Sequence, residues 1–300
     1  MSPTTKNWII ATRPWSFPAS SMPALLTISY IFFLKNAITT DINWVYGVLA
    51  MIGAVLFQAS GNLIGDYFDY KFKVDRKDTF GSSRMLVDGV FKPKSIFTYG
   101  ISFLLIGILL GLFLFINTGT DLLWIGAIGV LGTYFYYKMK FIALGDLLIF
   151  IIYGPLIGLG TAYVMTNQLH WDVLLLNIPV AFLVVNILHA NNTRDIRDDG
   201  KANIKTQAMI LGIKGAKIQY ILLALGAYVA VTLMVALGML HPLSLLVVVT
   251  LPIALKNIKL MQQAQIDKPE VIKDLDAASA QLVMAFTLLF SLSNFIAVWL

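Results

Sequence analysis

The chain of 300 residues contains no cysteine, so disulfides and thiolate metal sites are excluded. Its three histidines, His170, His189 and His241, are too scattered for an imidazole metal centre. Charge is scarce: 13% of residues are charged and 58% are hydrophobic, more apolar surface than a soluble domain of this size needs. What remains is a set of apolar runs separated by short charged stretches. Lys6 and Arg13 precede the first run and no small-residue cleavage site follows it, so an uncleaved first span is expected.

The composition reads as an all-α polytopic membrane protein, with residues 1–300 forming a single membrane-embedded domain. Nine spans are expected, near 16–35, 43–64, 94–116, 121–137, 146–166, 172–190, 217–238, 243–260 and 280–299. With that count, 21 of the 22 basic residues fall on one side of the bilayer and only Lys35 on the other. The basic side is expected to be cytoplasmic, with the N-terminus. The net charge of +6 is then a topology signal, and no nucleic-acid partner is expected.

Two loops on the basic side begin with Asn and Asp, four spans apart, as in a weak internal repeat. In GNLIGDYFDYKFKVD (residues 61–75), Asn62, Asp66 and Asp69 fall at i, i+4 and i+7, and Asp75 and Asp78 follow. In HANNTRDIRDDGKANIKT (residues 189–206), Asn191, Asp195 and Asp199 fall at i, i+4 and i+8, flanked by Asn192 and Asp198. These spacings put each set on one helical face. Taken singly, each Asp also reads as a solvated helix cap. Two matched sets of hard oxygens point instead to Mg²⁺, which keeps positions open for water or phosphate. Facing each other across a cavity, the sets would clamp a diphosphate. Lys71, Lys73, Arg76, Lys77 and Arg84 follow the first set, and Arg194, Arg197, Lys201 and Lys205 interleave with the second. Of these, Arg84 and Lys205 are the foremost candidates for phosphate contact, with Lys71 and Arg194 as further ones.

At these residues the chain resembles the UbiA-type membrane prenyltransferases, and among them the menaquinone branch, the 1,4-dihydroxy-2-naphthoate polyprenyltransferases. The resemblance rests on RPWSFPAS (13–20), DYFDYKFKVD (66–75) with GSSRMLVDG (81–89), LGDLLIFIIYGPLIGLGTAYV (144–164), and NNTRDIRDD with Lys205–Thr206. Two positions depart from the family pattern: Gly65 stands where the family has an asparagine ligand, and Lys73 where it has a glycine. Asn62 or water would then supply the missing oxygen. The resemblance implies nine helices around a central cavity capped by the two loops. It implies Mg²⁺-dependent transfer of a polyprenyl group from polyprenyl diphosphate to an aromatic acceptor, and a place in the bacterial cytoplasmic membrane. The metal set is expected to be Asn62, Asp66, Asp69, Asn191, Asp195 and Asp199, with Asp69 and Asp195 central to catalysis and Asp75 deprotonating or orienting the acceptor.

An allylic carbocation needs aromatic faces and exclusion of water. TYFYYK (133–138) offers Tyr137, and Lys138 reaches either a phosphate, the acceptor or the lipid headgroups. Asp146 is either part of the site or a helix N-terminal charge, and His189 reads first as a hydrogen-bonding residue. The small residues Gly154, Gly158, Gly160 and Ala162 allow close packing or a portal for the lipid tail. Another prenyl acceptor (4-hydroxybenzoate, a glycerol-lipid alcohol or haem) and a membrane transporter are the competing readings.

Overall fold

A computed structural model describes residues 3–77, 79–80 and 83–300. The elements among them are helical: α1 Thr5–Ala11, α2 Pro18–Leu34, α3 Trp44–Lys71, α4 Pro93–Thr118, α5 Asp121–Met139, α6 Gly145–Ile151, α7 Ile157–Thr166, α8 Asp172–Arg194, α9 Ile196–Lys201, α10 Gln207–Ala236, α11 Leu251–Gln262 and α12 Leu275–Ala297, with short 3-10 and π turns between some of them. In lipid every backbone N–H and C=O must be satisfied within the segment, and helices do this without an edge.

Every expected apolar stretch coincides with helix, but not all nine meet the length and composition of a span. Seven helices among the described residues are long and apolar enough to cross a bilayer, or eight if α1 and α2 count as one span bent by 57°. The bend falls between Ser16 and Pro18; before it, Arg13, with a left-handed φ of 58°, leads into a 3-10 turn at Pro14–Ser16. Helix α5 is not among the seven; its last turns are Tyr134–Lys138 rather than aliphatic. The expected fifth span survives as Gly145–Thr166, but it is broken at Ile152–Leu156 by a π turn containing Pro155, which cannot donate to the helical ladder.

The core is formed by α2, α7, α8, α10 and α12, around buried side chains such as Leu26, Val180, Val231 and Phe286. Polar links tie these helices together in the apolar interior. Asn177 Nδ2 donates to Thr27 Oγ1 at 3.0 Å, Asn294 Nδ2 to Ser29 Oγ at 3.0 Å, and Asn186 Nδ2 to the Tyr220 carbonyl at 3.0 Å. Each such bond fixes helix rotation where the lipid offers no alternative partner. Gly154 and Gly158 serve close packing: a methyl group at either would fall within 2.5 Å of Ala181 or Asn177 on α8.

Helix α3 stops at Lys71, and the chain turns back so that the Val74 and Asp75 N–H groups both donate to the Asp69 carbonyl, at 2.8 and 3.2 Å. That turn needs a left-handed residue, and Lys73 supplies it with φ 58°. The lysine therefore occupies a glycine-type position, at a strain of about 1 kcal/mol. Lys73→Gly is expected to fold with an unchanged or higher thermal midpoint in detergent. Lys73→Val, β-branched at positive φ, is expected to lower stability by about 1 kcal/mol.

Candidate functional site

The two acidic sets line one cavity of about 200 Å³ at one end of the bundle. Helix α3 contributes Asn62, Asp66 and Asp69 from a single face, with Asp75 from the turn after it. Across from them stand Asn191 and Asp195 at the end of α8, then Asp198 and Asp199 on α9. The chain bends between α8 and α9 at Asp195, whose carbonyl accepts the Asp199 N–H at 2.8 Å, so both helices aim side chains into the same hollow.

Cations stand against three of these carboxylates. Asp66 is buried, accepts from the Ser83 N–H at 3.2 Å and Ser83 Oγ at 2.6 Å, and faces Arg13 Nη1 at 3.7 Å. Asp195 pairs with Arg194 at 2.7 Å. Asp198 lies 2.8 Å from Lys201 Nζ, 3.5 Å from Arg197 Nε and 3.7 Å from Arg76 Nη2, the last joining the two loops. Burial raises the Asp195 carboxyl above the usual carboxylate range, although Arg194 opposes it. Burial also acts upward on Asp198, but the hydrogen bonds from Lys201 and Arg197 prevail and hold it below that range.

The donor set suits a hard divalent ion. Asn191 Oδ1 is buried without a hydrogen-bond partner among the described residues, a costly condition that a cation would relieve. Asn62 commits its Nδ2 to the Thr12 carbonyl and Ser16 Oγ, at 2.9 and 3.0 Å, which leaves its carbonyl oxygen as the acceptor on offer. Gly65 is buried in the cavity wall, and a Cβ there would meet nothing within 4 Å. Among the described residues no group of three or more His, Cys, Asp or Glu is arranged to hold a metal by itself.

Several expected contacts lie elsewhere. Arg84, with φ 60°, donates to the Thr79 carbonyl at 2.8 Å and pairs with Asp88 at 3.0 Å, outside the lining. Lys71, Lys138 and Lys205 are exposed and outside it too. Lys138 Nζ lies 5.0 Å from the Phe135 ring, and Lys71 Nζ 5.9 Å from Tyr67. Tyr137 stacks on Phe68 at 3.9 Å, while its neighbour Tyr136 faces the cavity with Tyr153. One residue is a 100° step on a helix, so the run TYFYYK alone does not select the inward ring. Arg194 does reach the lining. Asp78 lies outside the described residues.

Other members were not foreseen. Arg13 and Ser83 hold Asp66 from far along the chain. Arg13 Nε is buried without a partner among the described residues. Behind the wall, Asp146 accepts from Asn192 Nδ2 at 3.0 Å and Gln219 Nε2 at 3.3 Å, and contacts His189 Nδ1 at 3.1 Å. His189 Nε2 faces the Ala216 carbonyl at 2.9 Å, so the histidine is a hydrogen-bonding residue joining α6, α8 and α10. The cavity's apolar end shares Thr133, Ile152 and Tyr153 with a second, apolar cavity of about 540 Å³ bounded by α3, α4, α5 and α7.

Removing Arg13 strands a buried carboxylate. Arg13→Ala is expected to cost about 2 kcal/mol in stability, read as a lower thermal midpoint, with Arg13→Lys intermediate. An unchanged midpoint for Arg13→Ala would show that Ser83 alone suffices for Asp66.

A profile described as the UbiA prenyltransferase family matches residues 24–279. UbiA prenyltransferase domain-containing protein 1 of Danio rerio is 30% identical over 82% of this chain and 73% of its own length, and that of Gallus gallus is 32% identical over 68% and 62%. Among solved structures, an apo UbiA homologue from Aeropyrum pernix K1 shares the fold with a TM-score of 0.65 at 15% identity, over 91% of this chain and 96% of that one. A UbiA homologue from Archaeoglobus fulgidus bound to GPP and Mg²⁺ has a TM-score of 0.57 at 14% identity, over 95% and 99%. The transporter reading is thereby set aside: this integral membrane protein belongs to the UbiA prenyltransferase family and is a prenyltransferase.

Proposed function

We propose that the chain transfers a polyprenyl group from its diphosphate to an aromatic acceptor, with 1,4-dihydroxy-2-naphthoate as that acceptor in menaquinone biosynthesis. The observation that carries the reading is the convergence of Asn62, Asp66 and Asp69 with Asn191, Asp195 and Asp199 on a cavity whose far end is apolar. Those six residues would hold Mg²⁺, with the remaining positions filled by diphosphate oxygens and water. Mg²⁺ bound there supplies neutralisation of the charge that grows on the departing diphosphate. The description of the Archaeoglobus fulgidus homologue with GPP and Mg²⁺ supports this for the shared fold.

The chain's own residues do the rest. Arg13, with a buried Nε that meets no acceptor among the described residues, offers a donor to an anionic oxygen of either substrate. The apolar wall of Leu148, Ile149, Ile152 and Val184 keeps water from the allylic cation left when the C–O bond breaks, while Tyr136 and Tyr153 present ring faces to it. Asp75 lines the cavity and is assigned to orient or deprotonate the acceptor. The prenyl tail runs into the adjoining apolar cavity through the Thr133–Tyr153 opening. The dihydroxynaphthoate assignment rests on RPWSFPAS and NNTRD. The basic loops support a cytoplasmic N-terminus and a site at the cytoplasmic leaflet, and a bacterial inner membrane is the location that goes with the naphthoate assignment.

Asp69→Ala and Asp195→Asn are each expected to reduce Mg²⁺-dependent transfer at least a hundredfold, the asparagine leaving the buried Arg194 an acceptor so that the variant stays folded. The assay offers purified protein farnesyl or longer diphosphates with 1,4-dihydroxy-2-naphthoate, 4-hydroxybenzoate and a glycerol-lipid alcohol, and identifies products by mass spectrometry. Full activity in both variants would refute the metal–diphosphate site, and turnover with another acceptor alone would refute the naphthoate assignment. Gly65→Asn restores the family's oxygen in space that is open, so its half-maximal Mg²⁺ concentration is expected to fall several-fold. A rise would mean that Asn62 or water already fills that coordination position.

A further inference from the structure

Each oxygen of Asp195 accepts from its own neighbour and keeps a further lone pair. Arg194 Nε donates to Oδ1 at 2.8 Å and Nη2 to Oδ2 at 2.7 Å, so the fork takes both carboxylate oxygens. The remaining nitrogen, Nη1, donates to the Lys273 carbonyl at 3.2 Å and lies 4.0 Å from Asp276 Oδ2. Lys273 and Asp276 flank the start of α12, in a third loop at the same end of the bundle. The Arg194 side chain is 4% exposed. A buried guanidinium held from three directions does not swing out to a phosphate, and it does not lose its proton. The expected phosphate contact of Arg194 is thus replaced by a fixed charge behind Asp195.

A fixed positive charge behind one carboxylate changes what the second acidic set can bind. A bare divalent ion beside Asn191, Asp195 and Asp199 would face the guanidinium across a few ångströms of partly buried space, where repulsion is weakly screened. Diphosphate brings the negative charge that offsets this. Asn191 keeps a buried carbonyl oxygen without a partner among the described residues, an acceptor available to a cation once the guanidinium's charge is offset.

We propose that Arg194 is a positioning residue acting through Asp195: a built-in counter-ion that makes metal binding at the second acidic set conditional on diphosphate, so that metal and diphosphate enter together. The proposal rests on the Mg²⁺–diphosphate reading of the cavity.

The test is Mn²⁺ binding by electron paramagnetic resonance on the full chain in detergent, with and without inorganic pyrophosphate. Arg194→Gln is expected to bind Mn²⁺ alone about tenfold more tightly than the native protein. The enhancement of Mn²⁺ binding by pyrophosphate shrinks by the same factor. Arg194→Lys retains the charge and keeps both native values. Arg194→Met, of similar length, provides a second neutral variant if the glutamine variant folds poorly. Neutral variants that bind Mn²⁺ alone no more tightly than native, or a lysine variant that behaves like the neutral ones, would overturn the proposal. Asp195→Ala separates the two levels: if it leaves Mn²⁺ binding in pyrophosphate unchanged, the metal reading itself fails, and the counter-ion with it.

Discussion

Carboxylates gathered at the end of an apolar bundle repel one another and resist leaving water. Six of them, Asp66, Asp69, Asp75, Asp195, Asp198 and Asp199, border one cavity among the described residues. Arg13, Arg194, Arg197, Lys201 and Arg76 stand against three of the six, and they come from the N-terminal bend, the end of α8, α9 and the first loop. The cap over the cavity is therefore an electrostatic structure. Its segments meet because charges at their ends require partners, while the helices below meet because apolar and small polar faces fit.

The same constraint links fold to chemistry. A site that neutralised every carboxylate with protein cations would have no use for a metal, and one that neutralised none would not fold compactly. Here Asp66 and Asp195 are held by arginines while Asn191 keeps a bare buried oxygen. The broken helix α6–α7 contributes the opposite wall, where the π turn brings Ile152 and Tyr153 to the junction of polar and apolar cavities. One hollow thus offers charge at its mouth and apolar surface at depth, the two properties of an isoprenoid diphosphate.

Much of this could be read along the chain. The apolar runs located the helices, and the three-to-four-residue spacing of Asn62, Asp66 and Asp69 and of Asn191 and Asp195 put each set on a shared face, because helical periodicity is local. What resisted reading depends on long-range closure. Arg13, at a left-handed position ahead of the bend, meets Asp66 on α3. Ser83 returns from a loop, and Lys273 meets Arg194 from 79 positions away. Composition placed Arg84, Lys71, Lys138 and Lys205 near the site, but side-chain direction carried them out of it. The expected span at α5 falls short in composition because the helix ends in tyrosines and a lysine, and the first expected span is met only as a bent pair of helices.

The central claim is that two oxygen sets, one from each half of the chain, grip the same diphosphate. Anomalous scattering from crystals grown with Mn²⁺ and pyrophosphate measures this directly. The account predicts manganese peaks against both Asn62–Asp66–Asp69 and Asn191–Asp195–Asp199, bridged by one pyrophosphate. Manganese and pyrophosphate confined to a single set, or bound among the loop cations outside the cavity, would contradict it.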